Sequence, residues 1–127
     1  MEVSGQRLYY EWQKWQAFKD RPVGFKAEPS TFLNGSFNLY QWKCLITGPE
    51  SSPWEGGKYT VIMSFPPEFP KIPPKCRIFP PIFHPNVSDT GDVYIPDLAE
   101  DMCWSPDFTI GQILMRIQKI LVRENST

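Results

Sequence analysis

No apolar run in this 127-residue chain approaches the roughly 20 residues needed to cross a bilayer. The N-terminus also lacks the basic-then-apolar pattern of a secretory leader, so a cytosolic or nuclear protein is expected. Charge of one sign is missing as well: 13 basic side chains stand against 14 acidic ones, for a net charge of −1. Nucleic acid and membrane surfaces need a clustered basic field, and neither is expected as the main partner. Cysteine is scarce. Cys44, Cys76 and Cys103 lie far apart with no C-x-x-C spacing, which argues against a disulfide framework and a zinc site and fits free thiols in a reducing compartment. Histidine is scarcer still: His84 stands alone, so any histidine-based catalysis or metal site must use it. No repeat, low-complexity tract or linker interrupts the chain, and its length suits one core rather than two, so residues 1–127 are read as a single domain.

Periodicity supplies the elements. Residues 4 to 19 read as an amphipathic helix, with Ser4 as a cap, Leu8, Trp12 and Trp15 on one stripe, and Asp20-Arg21-Pro22 as its end. Gly24 to Pro29 has the look of a short first strand, and a turn around Asn34-Gly35 leads into a second from Phe37 to Ile46. Tyr40, Trp42, Cys44 and Ile46 share one face there, the period-two signature of a half-buried strand. A third strand alternates Tyr59, Val61, Met63 and Phe65 with polar or outward residues, and Lys75 to Phe79 is a short fourth. Cys44 and Cys76 fall in such alternating runs, where a small buried hydrophobe is expected.

Between them, Pro66, Pro67, Pro70, Pro73 and Pro74 exclude helix and ladder pairing alike and predict an extended crossing over the surface. Pro80 to Phe108 shows little periodicity, and irregular stretches of that length inside compact domains are usually functional. Ile110, Ile113, Leu114, Ile117, Ile120 and Leu121 then form a helical stripe opened by Thr109 with Gln112 three residues on, a capping box. Helix, four-strand antiparallel meander, long loop and helix make an α+β domain.

Five blocks of residues carry a resemblance. Gly48-Pro49-Glu50, Pro53 to Tyr59, the Phe-Pro and Pro-Pro-Lys steps between Phe65 and Lys75, His84-Pro85-Asn86, and Trp104-Ser105-Pro106 with Thr109-Ile110 follow one another in this order. In order and spacing they resemble the ubiquitin-conjugating (UBC) family. Asp20 to Phe25, Pro73 to Cys76 and Phe79 to Val87 are most similar to its SUMO-conjugating branch. The resemblance implies a UBC-like fold. In family members two further helices follow the second; this chain ends at Thr127, so those helices are expected to be absent.

The family also implies a reactive position. In its enzymes a cysteine follows the His-Pro-Asn tripeptide, after a glycine turn and an aliphatic residue, and carries the modifier as a thioester. Counted without a gap, that slot holds Tyr94. A phenol has a pKa of about 10 and forms an oxygen ester, so it takes no part in thiol exchange. Two further departures flank it: Pro96 within Ile95-Pro96-Asp97-Leu98, and Ser88 where the SUMO branch usually has a tyrosine. Loss of the cysteine and of the last helices resembles the enzyme variants of the family, which bind modifiers and active partners without a thioester.

The remaining candidates follow from the same resemblance. His84 is expected to brace the loop through hydrogen bonds rather than act as a ligand or base. Asn86 holds the loop or, in active relatives, stabilises the oxyanion formed as lysine attacks. Cys103 is the alternative nucleophile, although Glu100, Asp101 and Asp107 nearby disfavour its thiolate. Trp54 and Trp104 are read as core or loop-locking residues before binding anchors. Activating enzymes and ligases dock in relatives on the first helix, the proline loop and the Ser-Pro loop, which makes Pro67, Ser105 and Pro106 candidate contacts. Lys14, Lys19 and Arg21 supply positive charge suited to an acidic modifier.

Three functions compete. The first is an inactive relative that binds SUMO or ubiquitin, an active conjugating enzyme, a ligase or an activating enzyme. The second is an active conjugating enzyme using Cys103 or altered at the catalytic position. The third is a scaffold subunit of a larger assembly. No cofactor and no metal are implied by any of them.

Overall fold

A computed structural model of the chain describes residues 3–98 and 104–122. Helix α1 (Val3–Ala17) is followed by strands β1 (Lys26–Thr31), β2 (Phe37–Thr47), β3 (Lys58–Ser64) and β4 (Lys75–Phe79), a 3₁₀ turn at Pro96–Leu98, and helix α2 (Ile110–Val122). The four strands form one antiparallel sheet in the order β1-β2-β3-β4, the meander expected from the sequence. Among the described residues no helix is long and apolar enough to cross a membrane.

The alternation in β2 and β3 fixes which face is buried. Trp42 pairs with Met63 and Met63 with Cys76, while Cys44 pairs with Val61 and Val61 with Ile78. Two rows of apolar side chains thus cross the sheet on one face, and every residue in them is buried. A slip of one residue would turn both rows to solvent, so the pattern sets the register. Pro29, which has no N–H to donate, sits on the outer strand where a register shift follows it.

Helix α2 covers that face. All six residues of its stripe are buried. The capping box forms as expected: the Gln112 backbone N–H donates to Thr109 Oγ1 at 3.1 Å, and the Thr109 N–H donates to Gln112 Oε1 at 2.9 Å. At the other end of the helix, Gln118 Nε2 donates to the Thr47 carbonyl at 3.0 Å and ties α2 to the end of β2.

Helix α1 departs from the sequence reading in two ways. It ends at Ala17, because the Phe18 N–H turns back to the Trp15 carbonyl at 3.1 Å. Ser4 is no cap: it lies inside the helix, buried, with its Oγ 2.7 Å from Tyr40 Oη. Glu11, on the same face as Leu8 and Trp15, is buried and joins the two helices. One carboxylate oxygen accepts from Arg7 Nε at 3.0 Å, and the other accepts from the Ile110 N–H at 3.1 Å, the first residue of α2.

The proline segment is also corrected. It is turned rather than extended, with the Phe69 N–H bonded to the Pro66 carbonyl and the Lys71 N–H to the Glu68 carbonyl. The cause is Phe69, which is buried against Phe65 with ring centroids 4.8 Å apart. An extended crossing would leave that ring in water.

Candidate active-site groove

The groove is built from a loop that folds back on β4. The Ile78 N–H donates to the Gly91 carbonyl at 2.8 Å and the Val93 N–H to the Cys76 carbonyl at 3.0 Å, so residues 91–93 lie along the strand. Arg77 adds an ion pair with Asp92 at 3.2 Å and a bond from Nη2 to the Thr90 carbonyl at 3.0 Å. Gly91 makes this approach feasible. Its φ is +93°, and a Cβ there would stand 2.6 Å from the Ile78 carbonyl oxygen.

His84 fixes the near side. Its Nδ1 accepts from the Asn86 N–H at 3.0 Å, which leaves the ring proton on Nε2 to donate to the Ile120 carbonyl at 3.0 Å. The ring is buried, with the Trp54 indole at a centroid distance of 5.4 Å. Both nitrogens are engaged in holding the loop against α2, the bracing role expected for it. Among the described residues no group of three His, Cys, Asp or Glu side chains is placed to hold a metal ion.

Asn86 and Tyr94 clamp one another. The Tyr94 N–H donates to the Asn86 carbonyl at 2.7 Å, and Asn86 Nδ2 donates to the Tyr94 carbonyl at 3.1 Å. The Asn86 amide is therefore committed to the loop. Only the phenol of residue 94 stays free of this clamp, and Tyr94 is 62% exposed. It lines a groove of about 710 Å³ together with Lys75, Asn86, Ser88, Asp92 and Leu98. The turn on its rim is tied by Ser88 Oγ, which accepts from the Asp92 N–H at 3.1 Å.

Two thiols lie among the described residues, Cys44 and Cys76, and both are buried. Burial pushes Cys76, in the wall of the groove, up to about 12. Burial raises Cys44 too, helped by Cys76 and Glu28. Protonated thiols are poor nucleophiles, so neither of these two is suited to carry an acyl group. Cys103, Glu100 and Asp101 lie outside the described residues.

The docking candidates separate into two groups. Trp104 Nε1 donates to the Pro70 carbonyl at 2.8 Å, and its ring packs on Phe69 and Phe108, which locks the loop as expected. That bond sets the loop of exposed Pro67 beside the loop of Ser105 and exposed Pro106. Arg7 Nη2, bonded to the Phe108 carbonyl at 3.0 Å, brings the first half of α1 to the same place. Lys14, Lys19 and Arg21 are exposed but lie elsewhere, in and beyond the second half of α1.

A family model for the ubiquitin-conjugating enzyme matches residues 7–127. The chain belongs to the ubiquitin-conjugating enzyme family. It is 44% identical over 123 residues to the SUMO-conjugating enzyme ubc9 of Dictyostelium discoideum, covering 97% of this chain and 76% of that protein. The SUMO-conjugating enzyme UBC9 of Caenorhabditis elegans is 42% identical over 123 residues, covering 97% and 73%. SUMO-conjugating enzyme SCE1 of Arabidopsis thaliana is 41% identical over 119 residues, covering 94% and 73%. Among solved structures, human ubiquitin-conjugating enzyme E2 G1 superposes with a TM-score of 0.81 at 31% identity, covering 94% of this chain and 95% of that one. The UBC fold and the similarity to the SUMO-conjugating branch are thus as the sequence blocks implied.

Sequence reasoning missed Arg7 and Glu11, although their spacing of four on a helix is the ordinary signal of an ion pair. It also missed Lys75 as a cation lining the groove, a residue that entered only as part of the Pro-Pro-Lys block.

Proposed function

We propose that this protein works in a SUMO-type conjugation pathway on the scaffold of a conjugating enzyme and holds no thioester at position 94. The observation that carries this is the exposed phenol of Tyr94 on the groove, with Cys44 and Cys76 buried and protonated. On the first form of this reading, the protein binds SUMO or ubiquitin, an active conjugating enzyme or a ligase without a covalent bond. Lys14, Lys19 and Arg21 on one side and Pro67, Ser105 and Pro106 on the other supply the contacts.

A second form has a specific observation in its favour. All three relatives are named as conjugating enzymes, and those names support a conjugating role more strongly than a non-covalent one. An enzyme of this kind would carry its modifier on Cys103, or have its chemistry altered at residue 94.

The test is incubation with activating enzyme, ATP and each modifier, read on reducing and non-reducing gels. No thiol-labile adduct is expected from the native chain. Tyr94→Cys should load weakly, since Pro96 and Ser88 also depart from the active pattern. A thiol-labile band on the native chain that disappears in Cys103→Ala would establish the second form. For the first form, an NMR titration with SUMO, ubiquitin and an active conjugating enzyme should shift amides of α1. Silence with all three would leave the scaffold role.

A further inference from the structure

Away from the groove, the end of α1 and the start of β1 line a second, open depression of about 490 Å³. Its inner side is apolar and buried, formed by Trp15 and Phe25. Its rim carries Lys19, Arg21 and Lys26, and no carboxylate lines it. Among the described residues none of these three cations forms an ion pair. The Arg21 guanidinium lies over the Trp15 ring, 5.5 Å from its centroid, so one donor group is already oriented by packing. Asp20 and Glu28 stand next to these cations in sequence and are exposed, but neither lines the depression, so the three cations that do line it suit an anion.

The size of that excess narrows the ligand. A carboxylate brings one charge and two acceptor oxygens. A phosphate monoester brings about −1.5 to −2 at neutral pH and three acceptor oxygens, a closer match to two ammonium groups and a guanidinium. We propose that this depression receives a phosphorylated serine or threonine within an extended segment of a partner protein.

The surroundings favour a peptide over a lipid headgroup. β1 is the outer strand of the sheet, so the side of the strand next to Lys26 has no strand neighbour. Val23, 94% exposed beside the depression, offers an apolar contact to a residue flanking the phosphate. Anionic membranes select clusters of about four to eight basic residues. Here there are three, with Asp20 and Glu28 close by in sequence. The inference goes beyond the proposed function, since it does not depend on position 94, but it uses Lys19 and Arg21, which that reading gives to the modifier.

The test is an NMR titration of the full chain with a ten-residue Gly/Ala/Val peptide bearing one central phosphoserine. Controls are the same peptide with serine or glutamate at that position, and vesicles containing phosphatidylinositol phosphate. The phosphopeptide should shift amides between Lys19 and Ala27, and the serine peptide should not. Binding should weaken by about tenfold in Lys26→Ala, an exposed position whose truncation leaves the fold intact, as expected for loss of a charge-assisted bond. Lys119→Ala, exposed on α2 and outside the depression, should leave it unchanged. Equal shifts with the serine or glutamate peptide, binding to vesicles alone, or no shift at all would overturn the proposal. Failure of the modifier reading is separable: SUMO would then give no shifts on α1 whatever the phosphopeptide does.

Discussion

Replacing Glu11 by alanine is expected to destabilise the protein more than its position on a surface helix suggests. The carboxylate is 2% exposed and serves two elements at once, accepting from Arg7 Nε at 3.0 Å and from the first N–H of α2 at 3.1 Å. Truncation leaves a buried N–H at a helix start with no partner and a guanidinium without its counter-charge. Removing one member of a buried pair costs about 3–5 kcal/mol. The lower end applies here, because Arg7 keeps 20% exposure and its bond to the Phe108 carbonyl. A loss of about 3 kcal/mol corresponds to roughly 10 °C in Tm for a domain of this size.

Glu11→Gln separates the two roles. It keeps an oxygen for the Ile110 N–H while discarding the charge, and should cost only about 1 kcal/mol. Urea unfolding of both variants, with Arg7→Ala and the double mutant to close a cycle, should return a coupling of about 1–2 kcal/mol. An alanine variant within about 0.5 kcal/mol of the native chain would refute the reasoning, since that is the range of an ordinary surface position.

Leu114→Ala should cost about 2–5 kcal/mol in the same assay, because the side chain is fully buried beneath the sheet; a cost below about 0.5 kcal/mol would mean that α2 does not cover the core. Cys44 and Cys76 should resist iodoacetamide at pH 8 in the folded chain and react on unfolding; native-state labelling of either would contradict their burial. Their raised values also set a pH dependence. Unfolded thiols ionise from an ordinary value of 9.0 while folded Cys76 holds its proton to about 12. Stability should therefore be unaffected by these groups below pH 9 and fall as the pH climbs through that interval, as urea midpoints across it would report.

What could be read from the sequence was whatever depends on near neighbours. The alternation from Tyr59 to Phe65 and the stripe from Ile110 to Leu121 report burial directly, and Thr109 with Gln112 reports a helix start, because each signal lies within one element. Ser4 failed for the opposite reason. A serine near a helix start is ordinarily a cap, and its actual partner, Tyr40, is 36 residues away. The bond from Ile110 to Glu11 spans 99 residues, beyond the reach of any local pattern. In the proline segment, the backbone preference for extension was overridden by the burial of one ring, Phe69. The groove was legible in outline as the irregular stretch from Pro80 to Phe108, and in its positions through family resemblance, which marked 84, 86, 88 and 94 but not the hydrogen bonds that join them.

Those bonds have a consequence for how the site can change. Residue 94 is held by its own peptide N–H and carbonyl, both bonded to Asn86, and its side chain takes no part in the clamp. Any residue that keeps its backbone N–H, which excludes proline, can make the same two bonds. Tyrosine and cysteine codons differ by a single nucleotide, so the side chain presented here can be exchanged in one mutational step while both backbone bonds stay in place. The clamp and the side chain it presents are inherited separately.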